Sequence, residues 1–227
     1  MPNEWLPLQK HYERRFKEAG ATPQGVDWPD GRDLEARFAT LLGVLKAVPQ
    51  AAQPPLLLDL GCGPGLLLDY LSAKGRLNDV RYQGIDISPA MIAAARDRWP
   101  GVSFEARDII AVPLEPLSVD VVVINGVLTE RQSIPIERMV SIAEALVVAA
   151  FRAARCGVAF NVMSKHVDWE RQDLFYRSFD EVASFLKRDV TRHIAFRADY
   201  GLYEFSAFAW REPQREAPCA NETWWTR

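Results

Sequence analysis

Cysteine, histidine and charge of one sign are all scarce in this chain. Of its 227 residues, 3 are cysteines and 3 are histidines. Cys62, Cys156 and Cys219 are odd in number and far apart. That argues against a disulfide framework and for a reducing compartment, the cytoplasm. They lack the spacing of a metal site, so no metal is expected. There is no run of lysines and arginines, and the formal net charge is −3. Broad nucleic-acid binding, which works by neutralising phosphates, is therefore not expected. No apolar stretch approaches the ~20 residues of a membrane span. The opening Met-Pro-Asn-Glu-Trp-Leu lacks the charged start and apolar centre of a secretory signal. Internal repeats are absent. The remainder is ordinary for a globular protein, with 48% hydrophobic and 25% charged residues, in a length that suits one domain with a full core.

One stretch stands out against this background. Residues 56–65 read Leu-Leu-Leu-Asp-Leu-Gly-Cys-Gly-Pro-Gly. The apolar run suits a strand buried on both faces of a parallel sheet. Gly61, Gly63 and Gly65 then alternate through a turn, and apolar residues resume at Leu66 as a helix would open. A glycine turn between strand and helix lets a ligand approach the backbone without meeting a Cβ. The dinucleotide fingerprint G-x-G-x-x-G needs its third glycine at position 66, which is Leu66. Asp59 places an acid inside the strand end, and Cys62 belongs to the shape of the loop.

Three further strands end in residues suited to a nucleoside. Arg81–Asp86 reads as the second strand, and Asp86 lies about as far past the glycines as the acid that holds a ribose in doubly wound sites. A carboxylate accepts hydrogen bonds from both vicinal hydroxyls. Ile87 follows as a surface for adenine, and Ser88-Pro89 gives a helix start. Residues 102–109 read as an alternating strand ending at Asp108, followed by Ile109. Val119–Ile124 is the β-branched run of a central strand, with Asn125-Gly126 at its carboxyl end. That end would lie beside the glycine turn, at the edge where open α/β sheets bind ligands.

LLLDLGCGPG resembles the first motif of the class I S-adenosylmethionine-dependent methyltransferases, and GIDIS followed by Met91 resembles their second. The resemblance covers roughly residues 55–211 and implies a Rossmann-like fold. Its mostly parallel sheet has seven strands, the last inserted antiparallel beside the fifth. It also implies S-adenosylmethionine as cofactor and S-adenosylhomocysteine as product. By the same resemblance Asp108 takes the adenine amino group, the Ile109 N–H reaches a ring nitrogen, and a carbonyl at Asn125-Gly126 faces the methionine amine. Proteins that methylate planar amines carry Asn/Asp-Pro-Pro-Tyr/Phe after the fourth strand; Asn125-Gly126-Val127-Leu128 departs from it, which disfavours a base amine or amide.

The rest of the chain bears on substrate. Residues 1–50 are expected to form an N-terminal helical lid, 51–211 the cofactor-binding core and 212–227 a tail. Residues 4–19 look helical, with Trp5, Leu8, Tyr12 and Phe16 at helical spacing, and 33–48 form a second helix after a turn-rich link. This leader resembles, more weakly, that of bacterial small-molecule and sugar-associated methyltransferases. It makes Tyr12 and Arg37 candidates for the methionine carboxylate, and Trp28 a candidate pocket wall or turn anchor. Residues 190–198 and 202–211 read as an antiparallel hairpin. In the tail, Trp224-Trp225 offers a docking contact for a surface or for a second copy in a homodimer.

Methyl transfer from a sulfonium asks little of a protein beyond placement. A hydroxyl acceptor profits from a base. His166, just after the fifth strand, is the first candidate, then His11 beside Tyr12. Glu130, with Arg131, lies where a polar substrate would enter. His193 falls within an expected strand. The reading is a cytoplasmic methyltransferase acting on a small molecule, with O-methylation of a hydroxyl or carboxyl group favoured and neither nucleic acid nor membrane as partner. N-methylation of a small amine or a protein, an NAD-dependent oxidoreductase and a non-catalytic cofactor-binding regulator are the alternatives.

Overall fold

The computed structural model describes residues 5–214. Cys219, the Trp224-Trp225 pair and the tail beyond Gln214 lie outside the described residues.

The glycine turn does join a strand to a helix. β1 (Leu56–Leu60) leads into α3 (Leu66–Ala73), preceded by α1 (Leu6–Ala19) and α2 (Gly31–Leu41). There follow β2 (Arg81–Asp86), α4 (Pro89–Arg98), β3 (Ser103–Ala106), β4 (Val119–Ile124) and α5 (Ile136–Ala153). The last third holds β5 (Ala154–Ser164), the two-residue β6 (Tyr176–Arg177), α6 (Phe179–Asp189), β7 (Ile194–Arg197) and β8 (Glu204–Trp210). The order across the sheet is β3-β2-β1-β4-β5-β8-β7, with β6 pairing the end of β5. β1 to β5 run parallel; β8 lies antiparallel between β5 and β7, as expected of the last strand.

The apolar runs are explained by what covers them. Leu57, Val121 and Val123 face a core shared with α2 and α3, while Leu58, Val122 and Ile124 face one shared with α5 and α6. A sheet covered on both faces needs apolar residues at successive positions. Local chemistry sets the helix starts. Ser88 Oγ accepts from the Met91 N–H at 3.4 Å with Pro89 at the first position of α4. Asp30 takes the Arg32 N–H at 2.8 Å at the start of α2, and Ser178 with Glu181 forms a reciprocal cap on α6.

Three expectations need correction. The helix expected over 33–48 is α-helical to Leu41 and then tightens into a 3₁₀ segment, Leu42–Ala47, a common way for a helix to end. The strand expected to reach Asp108 stops at Ala106. Asp108 Oδ1 instead accepts from the N–H groups of Ile110 at 2.9 Å and Ala111 at 3.3 Å. Such a side chain bonding its own downstream backbone turns the chain out of the sheet. His193 precedes β7 rather than lying in it.

Candidate active site

The carboxyl ends of β1, β2 and β4 open into a cavity. Its floor is Asp59, Gly61, Cys62, Gly63, Asp86, Ile87, Asp108, Ile109, Asn125 and Gly126; its roof is Trp5, Leu8 and Tyr12 from α1, Val26 and Trp28 from the following turn, and Leu34 and Phe38 from α2. Met91 also lines it. A Cβ on Gly63, whose φ is +51°, would meet only ordinary contacts within the protein, Val26 Cγ1 at 3.5 Å and Met91 Sδ at 3.6 Å.

Backbone donors hold the floor in place. The N–H groups of Gly61 and Cys62 bond the Ile85 carbonyl at 2.7 and 3.1 Å. Asp86 Oδ2 accepts from Gly63 N at 2.9 Å and Oδ1 from Ser88 N at 2.8 Å, so the loop and the second strand fix each other. Burial raises the Asp86 pKa despite these bonds. Asp59 is 3% exposed and takes a 2.6 Å hydrogen bond from the Tyr82 hydroxyl. Burial drives its pKa up to about 7, the Tyr82 bond opposing and the Asp86 charge adding to the rise. Burial also raises the Cys62 thiol, making it a packing residue rather than a nucleophile. Gly65 is absent from the cavity wall; it opens α3 against Trp99 and Phe104. Asn125 Oδ1 is buried without a hydrogen-bond partner.

The roof is tied to the floor through side chains. Tyr12 donates to the Gly126 carbonyl at 3.2 Å, and Ser88 Oγ donates to Glu13 at 2.7 Å. Burial raises the Tyr12 hydroxyl well above its usual pKa, with Glu130 and Asp27 adding to it. Arg37 does not line the cavity. Its Nε bonds Glu204 Oε2 at 2.9 Å and its guanidinium lies 3.7 Å over the Trp28 ring, while its Nη1 is buried without a partner.

The three acid–base candidates fall elsewhere. His166 stacks on Phe179, ring centroids 5.2 Å apart, Phe179 itself packing on Phe196 and Phe205, and His166 is not part of the cavity wall. His11, Asp27 and Glu130 meet behind Tyr12 with donor atoms within 4.8 Å of one another. Asp27 Oδ2 lies 2.7 Å from His11 Nε2, and Arg14 donates to His11 Nδ1 at 3.1 Å. Arginine only donates, so Nδ1 accepts and Nε2 carries the proton. Both ring nitrogens are thereby committed, and the His11–Asp27 bond is a latch between α1 and the turn, with Glu130 of the loop after β4 close beside it. Burial pushes Glu130 up to about 7, a bond from Gln132 opposing and Asp27 adding. Arg131, the residue after Glu130, spends Nη1 on the Ile134 carbonyl at 3.0 Å.

Sequence reasoning missed Trp5, Leu8, Leu34 and Phe38 as cavity wall, and Glu204 and Asn161 as the buried pair behind Gly126. The signal for Glu204 was an acid at the start of an otherwise apolar strand.

This strand order with a glycine turn at its centre defines a Rossmann-like, doubly wound nucleotide-type fold. Residues 57–147 match the family model described as a methyltransferase domain. The chain is 37% identical over 159 residues to a Mycobacterium tuberculosis protein named "Putative methyltransferase Rv1506c", spanning 69% of this chain and 93% of that one. It is 39% identical over 94 residues to a trans-aconitate 2-methyltransferase of Methylobacterium nodulans, covering 40% of this chain and 35% of that relative. Among solved structures, magnesium protoporphyrin IX methyltransferase of Synechocystis with bound S-adenosylhomocysteine superposes with a TM-score of 0.61 at 15% identity, over 92% of this chain and 98% of that one. The chain belongs to the class I S-adenosylmethionine-dependent methyltransferases. It is an enzyme whose methyl donor is S-adenosylmethionine, and the oxidoreductase alternative falls away.

Proposed function

We propose that this enzyme methylates a small molecule on oxygen, at a hydroxyl or a carboxylate. The observation that carries this reading is a single cavity walled on one side by the glycine loop and strand-end acids and on the other by apolar residues of α1, the turn and α2. Strand-end acceptors on one side and apolar side chains on the other suit a nucleoside cofactor with a small molecule beside it. The trans-aconitate methyltransferase relative favours a carboxylate.

Asp86 is assigned to the ribose hydroxyls, Ile87 and Met91 to the adenine faces, and Asp108 with the Ile109 N–H to the adenine edge. Gly61, Cys62 and Gly63 let the donor approach the backbone, and Gly65 starts the helix behind them. Asp59 and the unpartnered Asn125 Oδ1 are acceptors that fit an ammonium group. Tyr12 and the roof close over the acceptor and exclude water; residues 1–50 thus act as a lid on the 51–211 core. Bound S-adenosylmethionine supplies a methyl group on a sulfonium, and in-line attack by the acceptor leaves S-adenosylhomocysteine. The chain's contribution is placement: rigid strand ends fix one reactant and the roof orients the other. His166, His11 and Glu130 stand outside the described cavity wall, which suits an acceptor that is already an anion. The compartment is the cytoplasm, and no nucleic acid or membrane takes part.

The test is incubation with S-adenosylmethionine carrying a heavy-isotope methyl group, with trans-aconitate and with a metabolite extract, read by mass spectrometry. A labelled ester or ether supports the proposal. A label on nitrogen, or only on protein, overturns it.

A further inference from the structure

Glu204 lies outside the cavity, yet three elements converge on its carboxylate. Arg37 of α2 donates to Oε2 at 2.9 Å, Asn161 of β5 donates from Nδ2 to Oε1 at 2.9 Å, and the Tyr200 hydroxyl donates to Oε1 at 3.1 Å. Glu204 is 1% exposed and Asn161 is fully buried. Two of these partners, Asn161 and Arg37, lead on to Gly126. Asn161 Oδ1 accepts from the Gly126 N–H at 2.8 Å. Arg37 lies over Trp28, and Trp28 packs on Gly126 so closely that a Cβ there would stand 2.9 Å from its Cζ2. On its other side the Gly126 carbonyl takes the Tyr12 hydroxyl and, at 2.7 Å, the Thr129 hydroxyl.

We propose that Glu204 is a positioning residue for the methyl donor, holding Gly126 through Asn161 and the Trp28 wall through Arg37. The inference rests on the assignment of Asn125-Gly126 to the donor's methionine end.

The physical basis is that an ionised carboxylate only accepts. Arg37 and Asn161 both point donors at Glu204, so Asn161 must turn its NH₂ toward Glu204 and its oxygen toward Gly126. A glutamine at 204 has the same shape but carries one NH₂, which faces either Arg37 or the Asn161 NH₂. If Asn161 flips to relieve that clash, its own NH₂ meets the Gly126 N–H. An isosteric change at 204 therefore unseats Gly126, and an aspartate at 161 unseats it by setting two carboxylates against each other. Joining the two changes restores every hydrogen bond and moves the negative charge from 204 to 161. The glutamine oxygen takes Arg37, its NH₂ serves the aspartate at 161, and the second aspartate oxygen takes the Gly126 N–H. Tyr200 turns its proton to Ser206 Oγ, 3.0 Å away, and the net charge is unchanged.

The experiment measures S-adenosylmethionine dissociation constants by calorimetry on the full chain, with thermal melts, for Glu204→Gln, Asn161→Asp, the double variant and Asp86→Ala. Each single variant should bind about tenfold more weakly or worse, and the double should return to within about threefold of the unsubstituted protein. Lower melting temperatures with unchanged constants, or singles that the double fails to rescue, overturn the proposal. If Glu204→Gln does not fold, Asn161→Asp and its rescue decide the same question. An unchanged constant in Asp86→Ala overturns the donor-site assignment itself; a loss there with none in Glu204→Gln or Asn161→Asp overturns the positioning role alone.

Discussion

Tyr82 donates a 2.6 Å hydrogen bond to Asp59 Oδ2, and that bond is what limits how far burial raises the acid. Asp59 sits at about 7, so below neutrality it is mostly neutral and cannot pair with an ammonium group. Affinity for S-adenosylmethionine should therefore rise between about pH 6 and 8 and level off above. Tyr82→Phe removes the bond that favours the charged form, so the midpoint should move to higher pH and binding near neutrality should weaken several-fold, about 3- to 10-fold. Calorimetric titrations across that range check it; coincident pH profiles for the two proteins would rule out Asp59 as the titrating group.

Asp86 fastens two backbone N–H groups while facing the cavity. Asp86→Ala should cost about 1–3 kcal/mol of donor binding, from lost ribose hydrogen bonds and a loosened loop. The folded chain should persist, because β1 and β2 keep their full register from Leu56 opposite Arg81 to Leu60 opposite Ile85. Calorimetry with S-adenosylmethionine, alongside circular dichroism, separates the two effects. Unchanged affinity would remove Asp86 from the site.

Much of this was readable from sequence, and the limit has a physical cause. The glycine turn, Asp59, Asp86 and Asn125-Gly126 were legible because chain order alone brings strand ends of a parallel sheet to one edge. His166 was assigned to that edge by the same logic, but its ring turns away onto Phe179, a choice of packing that strand order does not contain. Arg37 looked like a carboxylate ligand because its partner, Glu204, is 167 positions distant in sequence. The roof was recognised as helices, yet which faces meet the cavity depends on how α1 and α2 dock.

Gly63 provides a test of the loop as the donor cradle. A Cβ there meets only ordinary contacts in the protein itself, although its left-handed φ of +51° adds strain of about 1–2 kcal/mol. Gly63→Val should thus fold with a modestly lower melting temperature and lose detectable S-adenosylmethionine binding. A variant that binds with native affinity would move the donor away from this loop.

Glu130 makes the latch pH-sensitive. Its carboxyl is buried beside Asp27 and His11, with Asp173 and Arg171 near it and Arg14 and Arg15 bonded to His11 and Asp27. Its folded pKa of about 7 lies above the usual carboxylate value. The folded state therefore holds a proton that the unfolded chain has already released. Stability from this group is full at low pH and is lost as pH rises through about 7. Asp59 contributes in the same direction, so the slope is shared. Glu130→Gln keeps an acceptor for Gln132 and removes the charge. Its melting temperature should match the parent near pH 5 and exceed it near pH 8 by a few degrees, roughly 2–4 °C for a chain of this size. Melting curves in parallel buffers decide it: if the two proteins lose stability with the same slope, Glu130 is not the group that titrates. A flatter slope in the variant would mean that the folded chain holds a proton on Glu130 near neutrality.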